Sequence, residues 1–272
     1  MEETIVEARP GRVKLIPDRR GASLPAVTKT EFEYKLALRE ERIGGHLLRV
    51  EALENLDHAI DELFERLARD GRPELLEELC PYFGVVWPSA RGLCEELAAE
   101  AGANTSALAG RRLLELGCGL ALPSLLAAKL GAEVTATDVH PDVPRFLGRN
   151  LELNAIAFGT GPGRVRFEAL DWRKTPTADR FDWVVGSDIL YEREHPGPVA
   201  RALASRLAPG GRLVLTDPGR PYLQGFSDEM RGLGFAAEVR ARTVADNGAT
   251  KEIFILRFSG QGACASGQGG GR

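Results

Sequence analysis

The spacing of apolar and polar positions changes period several times along the chain, and each change marks an element. Phe32, Tyr34, Leu36 and Leu38 recur at period two, as in a half-buried strand. After the Gly44-Gly45 turn, His46 to Val50 offers a return strand, so Glu31 to Ala52 is predicted to be a β-hairpin. Asn55 stands at the N-cap of a helix whose Leu56, Ile60, Leu63, Phe64 and Leu67 share one stripe, ending near Asp70-Gly71. Pro73 opens a further short helix to Cys80. Pro88 suits a first helical position, with Leu93, Leu97 and Ala98 as the buried stripe behind it.

From Arg112 onward, short apolar runs alternate with helical periods. Leu113-Leu114 leads to a glycine turn, an Ala/Leu-rich helical segment stopped by Gly131, and a second strand from Val134 to Thr137. Past Pro141 a helix turns Val143, Phe146 and Leu147 inward, and VRFEALDW supplies a third strand. FDWVVGS is apolar on both faces through Trp183, Val184 and Val185, the pattern of a central parallel strand. A helix from about Pro198 to Leu207, a turn at LAPGG and a fifth strand RLVLTD follow. GFAAEVRAR and KEIFILRF, split by the polar turn Asp246 to Gly248, read as a closing hairpin. Strands alternating with helices imply an α/β protein with a doubly wound, mostly parallel sheet. The expected organisation is an irregular segment over residues 1–29, a hairpin and helical extension over 30–80, the α/β domain over 81–258, and a disordered Gly-rich tail over 259–272.

The candidate chemistry gathers at strand ends. In RLLELGCGLALPSLLAAKLGAEVTATD, Gly117 and Gly119 form a tight turn after the first strand, and Asp138 closes the second. Glycines there let the backbone approach a ligand, and a carboxylate at the second strand tip can accept both hydroxyls of a ribose. A dinucleotide fingerprint needs a third glycine, where this chain has Leu122 followed by Pro123. Glu115 would repel a pyrophosphate and suits a cationic ligand. A nicotinamide dehydrogenase is therefore disfavoured.

Composition narrows the classes further. With 272 residues and 43% hydrophobic content, the chain can bury one substantial core. A net charge of −4 gives no field favouring nucleic acid or anionic membrane. Cys80, Cys94, Cys118 and Cys264 lie far apart and read as reduced thiols, which suits a cytoplasmic protein. No apolar run approaches the ~18 residues of a membrane span, and no leader is evident. His46, His58, His140 and His195 have no metal-ligand spacing, so no metal is expected.

The sequence ELGCG resembles motif I of the class I, seven-β-strand S-adenosylmethionine-dependent methyltransferases, with Ala121 in place of the last glycine. Three further signals follow in the family's order: TD at Asp138, LDW at Asp171 and Trp172, and SDILY at Ser187, Asp188 and Tyr191. The last resembles the D/E-x-x-Y/F motif of the protein-lysine-methyltransferase branch and its bacterial relatives, as does the order Y-x-x-x-x-W-P-S that ends in Trp87. The resemblance covers about Pro81 to Phe258. It implies a Rossmann-like, seven-stranded sheet and S-adenosylmethionine as cofactor. It also implies cofactor contacts from Trp87, Glu115, Gly117, Gly119, Asp138, Asp171, Trp172 and Ser187, and an acceptor site at Asp188 and Tyr191. The implied acceptor is a protein side chain, lysine first. The alternatives are a small-molecule N- or O-methyltransferase and a non-catalytic cofactor-binding module. Asn150 and Asn154, on neighbouring turns of one helix face, either touch the loop beneath the pocket or are solvated. Arg220, near the rim, either grips an acceptor or is solvated.

Overall fold

The computed structural model describes residues 32–174, 179–246 and 248–260. The irregular segment expected over residues 1–29, and the tail beyond Gly260, lie outside the described residues. The chain opens with an antiparallel hairpin, β1 (Leu36–Ile43) and β2 (His46–Leu53), joined at Gly44 and Gly45, both at positive φ. Asn55 caps α1 (Leu56–Arg69) by accepting the His58 N–H at 3.0 Å. A 3₁₀ turn at Pro73–Leu75 runs into the short α2 (Leu76–Leu79), and a second at Tyr82–Gly84 leads to α3 (Pro88–Ala103).

The alternating domain follows: β3 (Arg112–Leu116), α4 (Leu122–Lys129), β4 (Glu133–Asp138), α5 (Val143–Leu153), β5 (Ala157–Phe158), β6 (Arg164–Ala169) and β7 (Phe181–Ser187). Then come α6 (Pro196–Arg206), β8 (Leu207–Asp217), α7 (Leu223–Gly232), β9 (Phe235–Asp246) and β10 (Ala249–Gly260). The main sheet has the order β5-β6-β4-β3-β7-β8-β10-β9, with β10 antiparallel to β8 and β9 and the remaining pairs parallel. The doubly wound, mostly parallel sheet with its antiparallel last hairpin is thus present. The two-residue β5 adds an eighth strand at one edge.

Successive residues of β3 feed opposite layers. Leu113 joins a core with Leu93 and Leu97 of α3, Leu125 of α4 and Phe146 of α5. Leu114 and Leu116 join a second core with Val199 and Leu203 of α6 and Phe226 and Met230 of α7. Each fully buried leucine contributes about 1.5–3 kcal/mol, which fixes the sheet between its helices. From β3 the chain winds outward through β4 and β6, then returns to β3's other side at β7. That reversal places the topological switch point between β3 and β7, where ligands of open α/β sheets bind at the carboxyl ends of the strands.

The extension is built into this frame. Arg91 of α3 pairs with both carboxylate oxygens of Glu41 at 2.8 and 2.9 Å and with Asp246 at 3.3 Å. The Tyr34 hydroxyl donates to Asp142 at 3.0 Å while its ring meets Phe83 and Phe146 edge-on. Burial, then the Asp142 carboxylate, holds that phenol far above its usual range.

Several local expectations differ from the structure. Leu36 and Leu38 are exposed at 36% and 56%, because the strand starts only at Leu36 and the inward face is set by Glu41 and Ile43. Aromatic packing instead takes Tyr34, just before the strand. The α1 stripe is rotated to Ala59, Leu63 and Leu67, leaving Phe64 49% exposed. LAPGG is absorbed into β8, with a register shift opposite Phe181/Trp183. Helix α7, whose Phe226 and Met230 sit four apart and fully buried, has no counterpart in the sequence reading above.

No described helix is long and apolar enough to cross a membrane.

Candidate active site

The glycine turn is held from several sides. Gly117 and Gly119 have φ of 66° and 51°, and Ala121 follows in the same left-handed region at 62°. A Cβ on Gly117 would lie 2.7 Å from Ile189 and 3.3 Å from Trp172, and one on Gly119 would lie 3.0 Å from the Phe83 carbonyl. Close approach by protein neighbours therefore already demands glycine at both positions. Asp138 Oδ2 accepts the Gly119 N–H at 3.0 Å and Oδ1 accepts the His140 N–H at 2.9 Å, so the carboxylate at the β4 tip also organises the turn.

Glu115 lies beneath the turn and is fully buried. Its Oε2 accepts the Ser124 N–H at 3.0 Å and the Ser124 hydroxyl at 2.5 Å, while Oε1 is buried without a hydrogen-bond partner. Burial pushes its carboxyl up to about 8, with the Asp138 charge adding to the rise and the Ser124 bonds opposing it. Cys118 is buried beside these acids, and its thiol is pushed well up, by burial first.

Beyond β6, Asp171 is gripped by its own neighbour: Arg173 donates from its backbone, Nε and Nη2 at 3.0, 2.9 and 3.1 Å. These contacts hold the Asp171 carboxyl below its usual value. Trp172 packs over Gly117 and meets the His195 ring edge-on at 5.1 Å between centroids.

At the end of β7, Ser187 is 9% exposed. Asp188 takes φ of 62°, a strained value for a non-glycine residue, and its N–H donates to Thr216 at 2.9 Å. Arg220 forms an ion pair with Asp188 Oδ1, and its Nη1 lies 3.4 Å from Asp217 Oδ2. That Asp188 oxygen is buried, with the Arg220 charge beside it and no hydrogen-bond donor. Asp217 also accepts the backbone N–H groups of Gly219 and Arg220 at 2.8 and 2.7 Å, and burial raises its carboxyl against those bonds. Arg220, partly buried, therefore bridges two carboxylates at the tips of β7 and β8.

Tyr191 stands at the rim, 43% exposed, with its ring edge-on to His195 at 4.5 Å and 6.4 Å from Tyr82. Partial burial, then the Glu192 and Asp138 carboxylates, push its phenol up to about 12. Trp87, just before α3, is half-buried and donates its indole N–H to the Tyr82 carbonyl at 3.0 Å. Its indole is thus tied to a rim residue.

Three participants escaped the sequence. His195, 5% exposed, donates from Nδ1 to the Ile189 carbonyl at 3.0 Å and wedges between Trp172 and Tyr191. Ile189 fills the space above Gly117, and Tyr82 faces Tyr191 across the rim. Their only signal was position, Ile189 inside the DILY segment, His195 just after it, and Tyr82 at the head of the Y-x-x-x-x-W order. Among the described residues, no group of three or more His, Cys, Asp or Glu side chains could hold a metal ion.

Four carboxylates (Glu115, Asp138, Asp171 and Asp188) surround the turn, and two of them carry arginine partners. Because Glu115 is raised towards its protonated form and Arg173 and Arg220 offset Asp171 and Asp188, the fit to a nucleoside rests on geometry: a carboxylate at the β4 tip beside the glycine turn and the Trp172 ring over it. The sheet order, switch point and acidic turn define a class I methyltransferase architecture. Residues 80–217 match the family described as lysine methyltransferase, and the chain belongs to that family. It is 32% identical over 155 residues to a histone-arginine methyltransferase of Xenopus laevis, covering 51% of this chain and 61% of that one. It is 30% identical over 156 residues to a calmodulin-lysine N-methyltransferase of Arabidopsis thaliana, covering 54% and 49%. The chain therefore spans about half the length of such relatives. A 16S rRNA methyltransferase of T. thermophilus, solved with AdoMet and guanosine, superposes with a TM-score of 0.53 at 20% identity, over 89% of this chain and 53% of that one, a likeness of fold alone.

Proposed function

We propose that this chain is an S-adenosylmethionine-dependent methyltransferase that N-methylates a protein side chain, lysine first. The observation that carries the reading is the placement of Asp188 and Tyr191 at the carboxyl end of β7, next to the acidic glycine turn across the switch point. The lysine methyltransferase family match and the calmodulin-lysine relative support the choice of acceptor. The half-exposed Tyr82 and Tyr191 leave a rim open to an extended protein segment. The net charge of −4 favours a protein acceptor over nucleic acid. The three described cysteines, Cys80, Cys94 and Cys118, are free thiols, which supports a reducing, cytoplasmic setting.

The cofactor, when bound, supplies a methyl group already activated on a sulfonium, so the protein's task is to bind, orient and exclude water. Asp138 would hold the ribose hydroxyls, Asp171 and Trp172 the adenine, and the Gly117–Gly119 turn the amino-acid end, with Glu115 beneath it and Ser187 and Trp87 at its borders. A lysine amine, near ~10.4 unperturbed, must arrive neutral to attack. The Asp188 carboxylate accepts its N–H, orients the nitrogen lone pair along the attack line and takes up the proton released as the N–C bond forms. The Tyr191 ring walls the channel through which the side chain enters.

Asp188→Ala tests this reading. Single-turnover methylation with radiolabelled cofactor and cell extract as acceptor pool should fall by on the order of 10²-fold or more. A rate close to wild type would make the motif a structural turn and remove the protein-lysine reading with it. Label appearing in small molecules would favour the small-molecule N- or O-methyltransferase alternative.

A further inference from the structure

Asn150 of α5 and Asn154 at its C-cap are buried, at 0% and 8% exposure, and their amides are bonded at both ends. β2 pairs with β1 along one edge. Along its other edge alternate residues turn N–H and C=O groups away from β1, and groups shielded from water there need partners. The Arg49 N–H donates to Asn154 Oδ1 at 3.0 Å, and the Arg49 carbonyl accepts from Asn154 Nδ2 at 2.6 Å. The Glu51 N–H donates to Asn150 Oδ1 at 2.8 Å. Two side-chain amides thus stand in for a third strand beside the hairpin.

Asn150 has a second attachment. Its Nδ2 donates to the Leu120 carbonyl at 3.2 Å, inside the glycine turn. Leu120 lies between Gly119, whose N–H is held by Asp138, and Ala121, which sits in the left-handed region at φ 62°. A non-glycine residue there costs about 1–3 kcal/mol and persists only where its surroundings over-determine it. Just past the end of the extension, the Phe83 carbonyl packs against the same turn, 3.0 Å from where a Gly119 Cβ would be. Beside it, His140 donates from Nε2 to the Leu79 carbonyl at 3.2 Å.

We propose that Asn150 is a positioning residue for the cofactor site: it ties the free edge of the N-terminal hairpin to the Leu120 carbonyl, so the extension sets the conformation of the turn that receives the cofactor. This rests on the reading of that turn as the S-adenosylmethionine site. Asparagine suits the task at this length. Aspartate would lack the donor for Leu120 and bury a charge, and glutamine would be a methylene too long for both contacts. The extension is on this account part of the cofactor site.

The test compares Asn150→Ala, Asn154→Ala and Glu51→Pro by calorimetric S-adenosylhomocysteine affinity and by hydrogen exchange of the 117–121 amides in cofactor-free protein. Asn154→Ala removes bonds to the hairpin and to the Asn150 carbonyl, with none to the glycine turn. Glu51→Pro deletes the N–H at the far end of the Asn150 bridge, on a strand edge where proline is tolerated, and leaves the α/β domain's own residues intact. Asn150→Ala should weaken binding at least about 10-fold and speed exchange in the turn, with Glu51→Pro weakening it several-fold. Asn154→Ala should change affinity less than about threefold even as it lowers the melting temperature. Wild-type affinity and exchange in folded Asn150→Ala, or in Glu51→Pro should Asn150→Ala not fold, would overturn the proposal, as would equal weakening by Asn154→Ala. Failure of the wild-type protein to bind S-adenosylhomocysteine would sink the cofactor reading, and the exchange data would still decide whether Asn150 holds the turn.

Discussion

Asp138 is the residue on which the cofactor assignment turns, and replacing it separates two roles. In the structure its Oδ2 holds the Gly119 N–H at 3.0 Å and its Oδ1 the His140 N–H at 2.9 Å. A carboxylate oxygen has two lone-pair directions, so each retains one for a ribose hydroxyl. Asp138→Ala removes the ribose contacts and the turn's internal bonds together. Asp138→Asn keeps one oxygen acceptor and the side chain's shape but loses the charge and turns one acceptor into a donor. A hydrogen bond to a charged acceptor is worth about 1.5–3 kcal/mol. Losing the ribose contacts should therefore raise the S-adenosylmethionine Kd by roughly 10- to 150-fold in Asp138→Ala. Disruption of the turn adds to this and should appear as a lower melting temperature without ligand. Asp138→Asn can satisfy only one of the two backbone N–H groups, so its stability should fall between those of wild type and Asp138→Ala while it still binds several-fold more weakly than wild type. Isothermal calorimetry and thermal melts on the three proteins measure both quantities. Unchanged affinity in Asp138→Ala, or a loss of affinity that vanishes once stability is restored, would refute the ribose assignment and leave Asp138 as a turn-forming residue.

Three further outcomes follow from the same geometry. Trp172→Leu should lower cofactor affinity and remove a cofactor-dependent change in tryptophan emission while the domain stays folded; if it unfolds the domain and the remaining folded protein binds normally, Trp172 is a core residue. Tyr191→Ala should slow methylation more than Tyr191→Phe, with cofactor affinity intact in both; equal effects of the two would put the hydroxyl, not the ring, in charge. Because the folded Glu115 carboxyl is raised to about 8 from 4.5, its protonated form favours the fold. That contribution is complete below about 4.5 and is lost as pH rises through about 8. Chemical denaturation of the cofactor-free protein should show this decline, on the order of a few kcal/mol, and Glu115→Gln should flatten it. An unchanged slope in the variant would mean that Glu115 is ionised without ligand.

Most of the sheet was legible because buried parallel strands such as FDWVVGS are short, apolar on both faces, rich in valine and aromatics, and end on polar tips. The acids and glycines of the turn were legible because their roles are set by backbone geometry a few residues long. What escaped depends on contacts far apart in sequence. Leu36 and Leu38 obey a strand's period, yet which face is buried is decided by α3, where Arg91 captures Glu41. The sequence placed Arg220 near the rim but could not show that it spans Asp188 and Asp217, since that requires the β7 and β8 tips side by side. His195 carries no motif of its own, and Ile189 is one apolar position inside SDILY; they act through the rings and glycines they touch. Helix α7 was hidden because its two buried anchors are flanked by Gly, Ser and Asp, which weaken a helical pattern.

Methyl transfer to a protein amine is tested most directly by the fate of label from radiolabelled S-adenosylmethionine. Purified wild-type protein and Asp188→Ala would each be incubated with cell extract, and the products separated into protein and small-molecule fractions. Labelled proteins would then be digested and the modified residue located by mass spectrometry. The account predicts label in protein, on lysine, that depends on Asp188. Label confined to small molecules, or no label above background although the cofactor binds, would contradict it.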